Sequence, residues 1–175
     1  WGRASCLEGF GFMPHLAHAT EDNAECFMGL CASLLRLGGR WALVLPDTIL
    51  GPNKASIRRF LLEQTHTRFC FHIGPDWFTS DVRMSAILWG AEGGRAMNGA
   101  TFQSCILPID LRRKCQSQSL SLSEAIRSVL READAKECLA DESVTIPLFG
   151  DAALMATLGK AFGAGPTIFS VCDRG

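Results

Sequence analysis

A continuous apolar run from Trp41 to Leu45 limits the possible folds of this chain more than any other feature. It follows the pair Gly38-Gly39 and stops at Pro46. A short apolar run bounded by turn residues is typical of a strand covered on both faces, as in the middle of a parallel sheet. We therefore expect a buried strand of an α/β sheet at this position.

The segment before this strand has the period of a helix. Asp22 or Asn23 can cap the helix at its start, and Gly38-Gly39 can end it. Between these limits, apolar residues recur at helical spacing: Cys26, Phe27, Leu30, Cys31, Leu34 and Leu35. The pattern predicts a helix with one buried face that leads directly into the strand.

The loop after the strand, Pro46 to Asn53, lies where open α/β sheets bind their ligands, at the carboxyl end of a strand. Asn53 can cap a second helix. That helix is predicted to place the apolar side chains of Ile57, Phe60 and Leu61 inward. Arg58 and Arg59 are predicted to face outward. A strand over 67–73 follows, with Phe69, Phe71 and Ile73 on one side, and the run Met84 to Trp89 can pair with it.

These segments together resemble the N6-adenine DNA methyltransferases of type I and type IIG restriction systems. The resemblance covers about residues 22–90, and its spacing agrees throughout. It is carried by three stretches, which are Phe27-Met28-Gly29-Leu30 through Leu37-Gly38-Gly39-Arg40 and the strand to Asp47, then Ile57-Arg58-Arg59-Phe60-Leu61-Leu62, and then Trp77 to Leu88. The Gly-Gly-Arg strand also occurs in methyltransferases that act on small molecules, whereas the Phe78 segment favours the DNA adenine enzymes.

The resemblance implies the fold class and the domain organisation. It predicts the C-terminal half of a Rossmann-like S-adenosylmethionine-dependent methyltransferase sheet, an α/β fold whose last strand is antiparallel, followed by an α+β connector. Residues 1–95 would be the half domain, 96–165 the connector, and 166–175 the possible start of a target-recognition region. The sequence contains no strand-borne Gly-x-Gly and no Asn-Pro-Pro or Asp-Pro-Pro. The parent protein would thus supply the S-adenosylmethionine loop and the catalytic motif, and the fragment is expected to be inactive alone.

The resemblance also implies site residues. Family members extrude the target adenine and stack it on an aromatic side chain, a position that Phe78 occupies in this sequence. Trp77 could serve as the stacking residue or as a rim contact, and Phe78 could instead be a core anchor. Asp47, Thr48 and Asn53 follow the apolar strand and are weaker expectations as lining residues near the base or the DNA backbone.

Beyond residue 90, the connector is predicted from local patterns. Thr101 to Leu107 has the pattern of a strand, and Leu122 to Ala133 that of a helix capped by Ser123. A strand-like segment over 144–149 and a helix over 151–162 complete it. The basic cluster Leu111-Arg112-Arg113-Lys114 is interpreted as solvated turn charges or, alternatively, as a phosphate contact.

Composition excludes several classes of protein. The formal net charge of -1 gives no global basic field, so any DNA contact must come from a local patch or from other parts of the parent protein. No apolar stretch is long enough for a membrane span, and the scattered cysteines are typical of free thiols in a reducing cytoplasm. His15 and His18 lack further ligands at metal-binding spacing, so we expect no metal site.

The sequence therefore predicts part of a cytoplasmic, site-specific DNA adenine-N6 methyltransferase of a restriction-modification or phage-defence system. Its expected partners are double-stranded DNA and a specificity or nuclease subunit or domain, with no membrane. Two alternatives stay open. One is a fragment of a small-molecule or RNA methyltransferase, and the other is a non-catalytic DNA-binding or scaffold subunit with a methyltransferase-like fold.

Overall fold

The structure, a computed structural model, describes residues 23–78, 84–94 and 100–148. Its helices are α1 (Asn23–Leu34), α2 (Ala55–Gln64), α3 (Ile109–Gln116), α4 (Leu122–Val129) and α5 (Ala135–Ala140). Its strands are β1 (Arg40–Pro46), β2 (Thr65–Gly74), β3 (Ala86–Gly93), β4 (Thr101–Ile106) and β5 (Arg131–Asp134). Two short 3-10 turns, Asp47–Leu50 and Pro52–Lys54, link β1 to α2.

Four predicted features lie outside the described residues. They are the His15 and His18 pair, the 79–83 part of the family resemblance, the helix over 151–162 and the segment 166–175. Among the residues that are described, no helix is both long and apolar enough to cross a membrane.

The five strands form one mixed sheet in the order β1-β3-β2-β4-β5. Strand β3 pairs antiparallel with both β1 and β2, whereas β2 and β4 are parallel. Strand β5 runs antiparallel to β4. Consequently β1, β2 and β4 point the same way, and their carboxyl ends lie at one edge of the sheet. The predicted pairing of the Met84–Trp89 run with the preceding strand is confirmed.

Apolar residues cover both faces of this sheet. On one face, helices α1, α2 and α5 pack over a core that includes Met28, Leu61 and Trp89. On the other face, Ile126 of α4 packs over Phe71 and Ile73. Phe69 and Phe71 stack with ring centroids 4.8 Å apart, so the predicted alternation of β2 is confirmed.

The helix predicted before β1 is confirmed as α1, but its predicted buried face is only partly right. Met28 is fully buried, whereas Phe27 and Leu34 are exposed. The chain then turns at Gly38, whose φ of +72° is a left-handed conformation that glycine adopts without steric cost. Backbone bonds from Gly38 to Gly93 and from Gly93 to Gly39 tie this turn to the end of β3.

The prediction that β1 is buried on both faces in a parallel environment was wrong. Among the described strands, β1 pairs only with β3 and forms an edge. Leu45 is buried, but Val44 is 54% exposed. An apolar run indicates that a segment is apolar, but it does not show how many strands pair with it. The sequence therefore could not distinguish a central strand from an edge strand.

The outward position predicted for Arg58 was also wrong, because this arginine is 1% exposed. Its guanidinium donates to four backbone carbonyls, those of Ile49 (2.5 Å), Gly51 (2.7 Å), Ser143 (2.6 Å) and Val144 (3.0 Å). Burial lowers the pKa of Arg58, opposed by nearby groups that include Asp141. Five fixed donors make arginine suited to such a cluster of carbonyls.

Helix boundaries differ from the prediction in two places. Asn53 does not cap α2, since it lies in a 3-10 turn, and Lys54 occupies the cap position with its side chain paired to Glu25. Ser121, not Ser123, caps α4 through a capping box with Glu124. The predicted helix over 122–133 also ends at Val129, where β5 begins two residues later and pairs with β4. Long-range pairing overrides helical periodicity there.

The extended segment after α5 is stabilised by Asp141. This carboxylate accepts hydrogen bonds from the hydroxyl and amide of Ser143 and from Thr145 Oγ1 at 2.8 Å. These bonds, that of the Ser143 side chain first, lower the pKa of Asp141 to about 2. The segment 144–148 is not a strand, contrary to prediction, although Val144, Ile146 and Leu148 are buried.

Replacing Arg58 with methionine should lower the free energy of unfolding by at least about 3 kcal/mol, because several buried carbonyls lose their charged donor. Arg58→Lys should cost less, since one ammonium can still bond some of them. The matched control is Arg59→Met, whose half-exposed guanidinium bonds Leu139 and Asp141 at 3.1 Å and should cost under about 1 kcal/mol. Denaturant unfolding of the full-length protein measures all three, and equal losses for the two methionine variants would contradict the role of Arg58.

Asp141 should give a pH-dependent contribution to stability. Its folded pKa is depressed, so its contribution is present above the ordinary value of 3.8 and is lost as the pH falls through about 2. Asp141→Asn should therefore unfold at lower denaturant concentration than the wild type at neutral pH. The two midpoints should converge in strong acid, and a constant difference across the titration would contradict this assignment.

Candidate functional site

The predicted site residues surround the edge of the sheet where β1, β2 and β4 end. Strand β3 begins at the same edge because it runs in the opposite direction. The 3-10 turn after β1 therefore lies beside the loop that enters β3. Residues far apart in the sequence meet here, as expected for the carboxyl edge of an open α/β sheet.

Three polar side chains meet at this edge. His72 of β2 has its Nε2 atom 3.6 Å from Asp47 Oδ2 and 3.2 Å from Ser85 Oγ. The amide of Asp47 also donates to the carbonyl of Ser85 at 3.1 Å. The structure thus joins the end of β1 to the start of β3 through one imidazole.

This trio does not have the geometry of a hydrolytic triad. In a triad the two imidazole nitrogens have different partners, one the nucleophile and the other the carboxylate. In this chain both contacts are made by Nε2, and the Nδ1 atom of His72 is buried without a hydrogen-bond partner among the described residues. The arrangement favours a structural link over proton relay. Sequence analysis did not pair His72 with Asp47 or Ser85, because only the antiparallel insertion of β3 brings them together.

Thr48 and Asn53 lie on the outer side of the loop after β1, and both are exposed. Thr48 belongs to the first 3-10 turn, and its carbonyl accepts a bond from the amide of Gly51 at 2.9 Å. Asn53 belongs to the second turn. Arg58 fixes the carbonyls between them, so this polar loop has a defined shape.

Trp77 and Phe78 differ in their surroundings. Trp77 donates its indole N–H to the carbonyl of Ile73 at 2.8 Å and packs against the core on the α4 side of the sheet. Phe78 is 50% exposed. The structure therefore places Trp77 as an anchor of the β2–β3 loop and leaves Phe78 half exposed to solvent.

Helix α3 closes the other side of this loop, a feature that sequence analysis missed. Gln116 donates to the carbonyl of Asp76 at 2.8 Å, and the Arg112 guanidinium lies over Gly74. Gly74 has a φ of +82°, and a Cβ added there would overlap Nη1 of Arg112. Pro108 immediately before α3 was the available signal, since proline commonly stands at the start of a helix.

The described residues contain no cluster of three or more histidine, cysteine or carboxylate side chains that could hold a metal ion. Cys70, Cys105 and Cys138 are buried cysteines that form no disulfide among the described residues. Burial raises the pKa of Cys105 and of Cys138 to about 11. These thiols are consequently protonated at neutral pH and act as small apolar core residues.

An open groove of about 560 Å³ lies away from the predicted site. Arg68, Phe69, Gln103, Leu130 and Arg131 are among the residues that line it. None of the predicted site residues contributes to it. The groove is thus separate from the Asp47 and Phe78 edge.

Comparison with known proteins gives matches to solved structures alone, since no family model and no curated protein matches the chain. A chain from a type I restriction-modification system, studied for its complex assembly and conformational transition, has a TM-score of 0.55 at 16% identity. A modification subunit ascribed to a type I restriction enzyme from Vibrio vulnificus YJ016 has a TM-score of 0.51 at 16% identity. The M protein of the type I restriction enzyme EcoKI is 25% identical over 50% of this chain and 20% of its own, with a TM-score of 0.43.

The first two matches show a shared fold. The first covers 89% of this chain and 39% of the matched chain, and the second covers 68% and 29%. This chain therefore spans well under half the length of the proteins that it resembles in structure. It shares a mixed α/β fold with proteins of restriction-modification systems.

Gly74→Ala should destabilise the β2–β3 loop by about 1–2 kcal/mol, the usual cost of a left-handed conformation for a residue with a Cβ. A further cost should come from displacing Arg112. In an Arg112→Ala background, the loss caused by Gly74→Ala should therefore be smaller. A double-mutant cycle of unfolding free energies measures this coupling, and additive losses would show that Arg112 does not hold Gly74.

Proposed function

We propose that this chain is the C-terminal part of the catalytic domain of a site-specific DNA adenine-N6 methyltransferase in a restriction-modification or phage-defence system. Residues 1–95 would complete the catalytic sheet, 96–165 would connect it, and 166–175 would open a target-recognition region. The alternative is that the chain comes from a methyltransferase for RNA or small molecules, or from a non-catalytic subunit with this fold.

The observation that carries the proposal is the half-exposed ring of Phe78 on an anchored loop at the carboxyl edge. Trp77 fixes the loop through Ile73, and β3 returns antiparallel between β1 and β2. The order matches the expected ending of an adenine methyltransferase sheet, in which the last strand is inserted antiparallel. The shared fold with restriction-modification proteins supports the same reading.

In this proposal Phe78 holds the target adenine after it leaves the duplex. An unstacked base loses its neighbours, and stacking on an aromatic ring returns about 1–3 kcal/mol per base. Trp77 would border that base. Asp47, Thr48 and Asn53 would line the approach to it, on a loop whose carbonyls are already fixed by Arg58.

The described residues do not form a cradle for S-adenosylmethionine. The turn after β1 contains Gly51, but its carbonyl and that of Ile49 are bonded to Arg58 and face the protein interior. The glycine-rich turn and the motif that orients the amino group are expected elsewhere in the parent. We therefore assign cofactor binding and the methyl transfer itself to the parent, and expect the isolated chain to be inactive.

The parent also explains the exposed apolar surface near β1. Val44 is 54% exposed on β1, which has a free edge among the described residues. Unpaired apolar edges promote aggregation. We propose that further strands of the parent cover this edge, so the isolated chain should be poorly soluble. A monomeric preparation that melts cooperatively would contradict this part of the proposal.

Full-length parent expressed in a host without adenine methylation should leave N6-methyladenine at one recurring DNA sequence. Phe78→Ala should lower the initial rate of methylation by roughly 10- to 100-fold, the equivalent of the lost stacking energy. Phe78→Trp should retain most of the rate. Leu34→Ala, which removes another exposed apolar side chain, is the control and should retain the wild-type rate.

Sequencing of methylated bases and a methyl-transfer assay on purified protein provide the readouts. Absence of N6-methyladenine with the wild type would overturn the proposed activity. Methylation of RNA or of small molecules in the same assay would favour the alternative class. A Phe78→Ala variant with an unchanged rate would remove Phe78 as the base platform while leaving the activity in place.

A further inference from the structure

Helix α3 is an unusual element of this fold because none of its residues is buried. It carries Arg112, Arg113 and Lys114 against one carboxylate, Asp110, which gives it a net charge of +2. The whole chain has a formal net charge of -1. Positive charge is thus concentrated on a helix that contributes little to the core.

The position of α3 is fixed relative to the Phe78 loop by three contacts. The amide of Leu107, just before α3, donates to the carbonyl of His72 at 2.8 Å. Arg112 lies over Gly74, and Gln116 bonds the carbonyl of Asp76, two residues before Phe78. The helix therefore lies beside the aromatic loop and shares its edge of the sheet.

The cations of α3 have two different roles in this geometry. Arg112 is half-buried, and its guanidinium packs on the loop, so it is a positioning residue. Arg113 and Lys114 are exposed on the outer surface of the helix. Their charges are free to meet an anion that approaches the aromatic loop from solvent.

We infer that Arg113 and Lys114 contact the phosphate backbone of duplex DNA next to the base held at Phe78. The inference rests on the proposed function, because it takes duplex DNA as the partner. Phosphate contacts fix the register of a protein on DNA without reading sequence. A rigid basic helix beside a base platform supplies such a contact, while the loop supplies the stacking surface.

Salt-dependent binding tests this inference. The logarithm of the binding constant falls with the logarithm of salt concentration, with a slope of about 0.9 per neutralised phosphate. In the full-length protein, Arg113→Gln with Lys114→Gln should reduce that slope by about 1.8 and weaken binding at low salt to duplexes of any sequence. Glutamine is a good helix former, so α3 should stay folded.

Two control variants separate local contact from general electrostatics. Arg113→Lys with Lys114→Arg keeps both charges and should keep the wild-type slope. Lys136→Gln removes an exposed cation from α5, which begins beside Ala100 at the opposite edge of the sheet, and should leave the slope unchanged. Fluorescence anisotropy of a labelled duplex over a salt series measures all four proteins.

The outcomes distinguish this inference from the proposed function. A reduced slope in the glutamine pair alone supports the α3 contact, whether or not adenine is methylated. An unchanged slope in that pair, with wild-type protein binding normally, overturns the α3 contact and leaves the proposed function standing. A wild type that binds no duplex at any salt concentration overturns both.

Discussion

The buried guanidinium of Arg58 is the interaction on which the shape of the carboxyl edge depends. It joins the loop after β1, through the carbonyls of Ile49 and Gly51, to Ser143 and Val144, which lie 85 and 86 residues beyond Arg58 itself. Val144 has a φ of +47°, which is strained for a β-branched residue. Such strain persists where surrounding contacts fix the backbone, and Arg58 supplies one of them.

The site combines a firmly held polar loop with an accessible aromatic ring. His72 links Asp47 and Ser85, and Trp77 donates its indole N–H to a backbone carbonyl. Phe78 is half exposed. Every one of these side chains except Phe78 thus has a partner within the protein. The exposed ring of Phe78 can stack on a planar ligand, while the neighbouring side chains hold the loop in place. For this reason we assign base stacking to Phe78.

The order of elements could be predicted from the sequence because α1, β1, β2 and β3 have local periodicities that tertiary contacts reinforce. The predictions that were wrong concerned residues whose contacts lie far away in the sequence. Arg58 was placed outside because a cation on a helix is normally solvated, and nothing local reveals carbonyls on the 143–144 segment. The site residues followed from a family resemblance, and their roles remain predictions. Arg112 and the His72 link required the register of the sheet, which no local pattern encodes.

The position of β3 between β1 and β2 also affects when the sheet can form during synthesis of the chain. Among the described strands, β1 pairs only with β3, and β2 pairs with β3 on the side that faces β1. Neither pairing can form before β3 has been synthesised. When residues up to 74 have left the ribosome, β1 and β2 still lack the strand that pairs with both of them. Their backbone groups must stay hydrated until Ala86–Gly93 inserts and bonds both neighbours at once. Nascent chains that end before this segment are therefore the species most exposed to misassembly and chaperone capture.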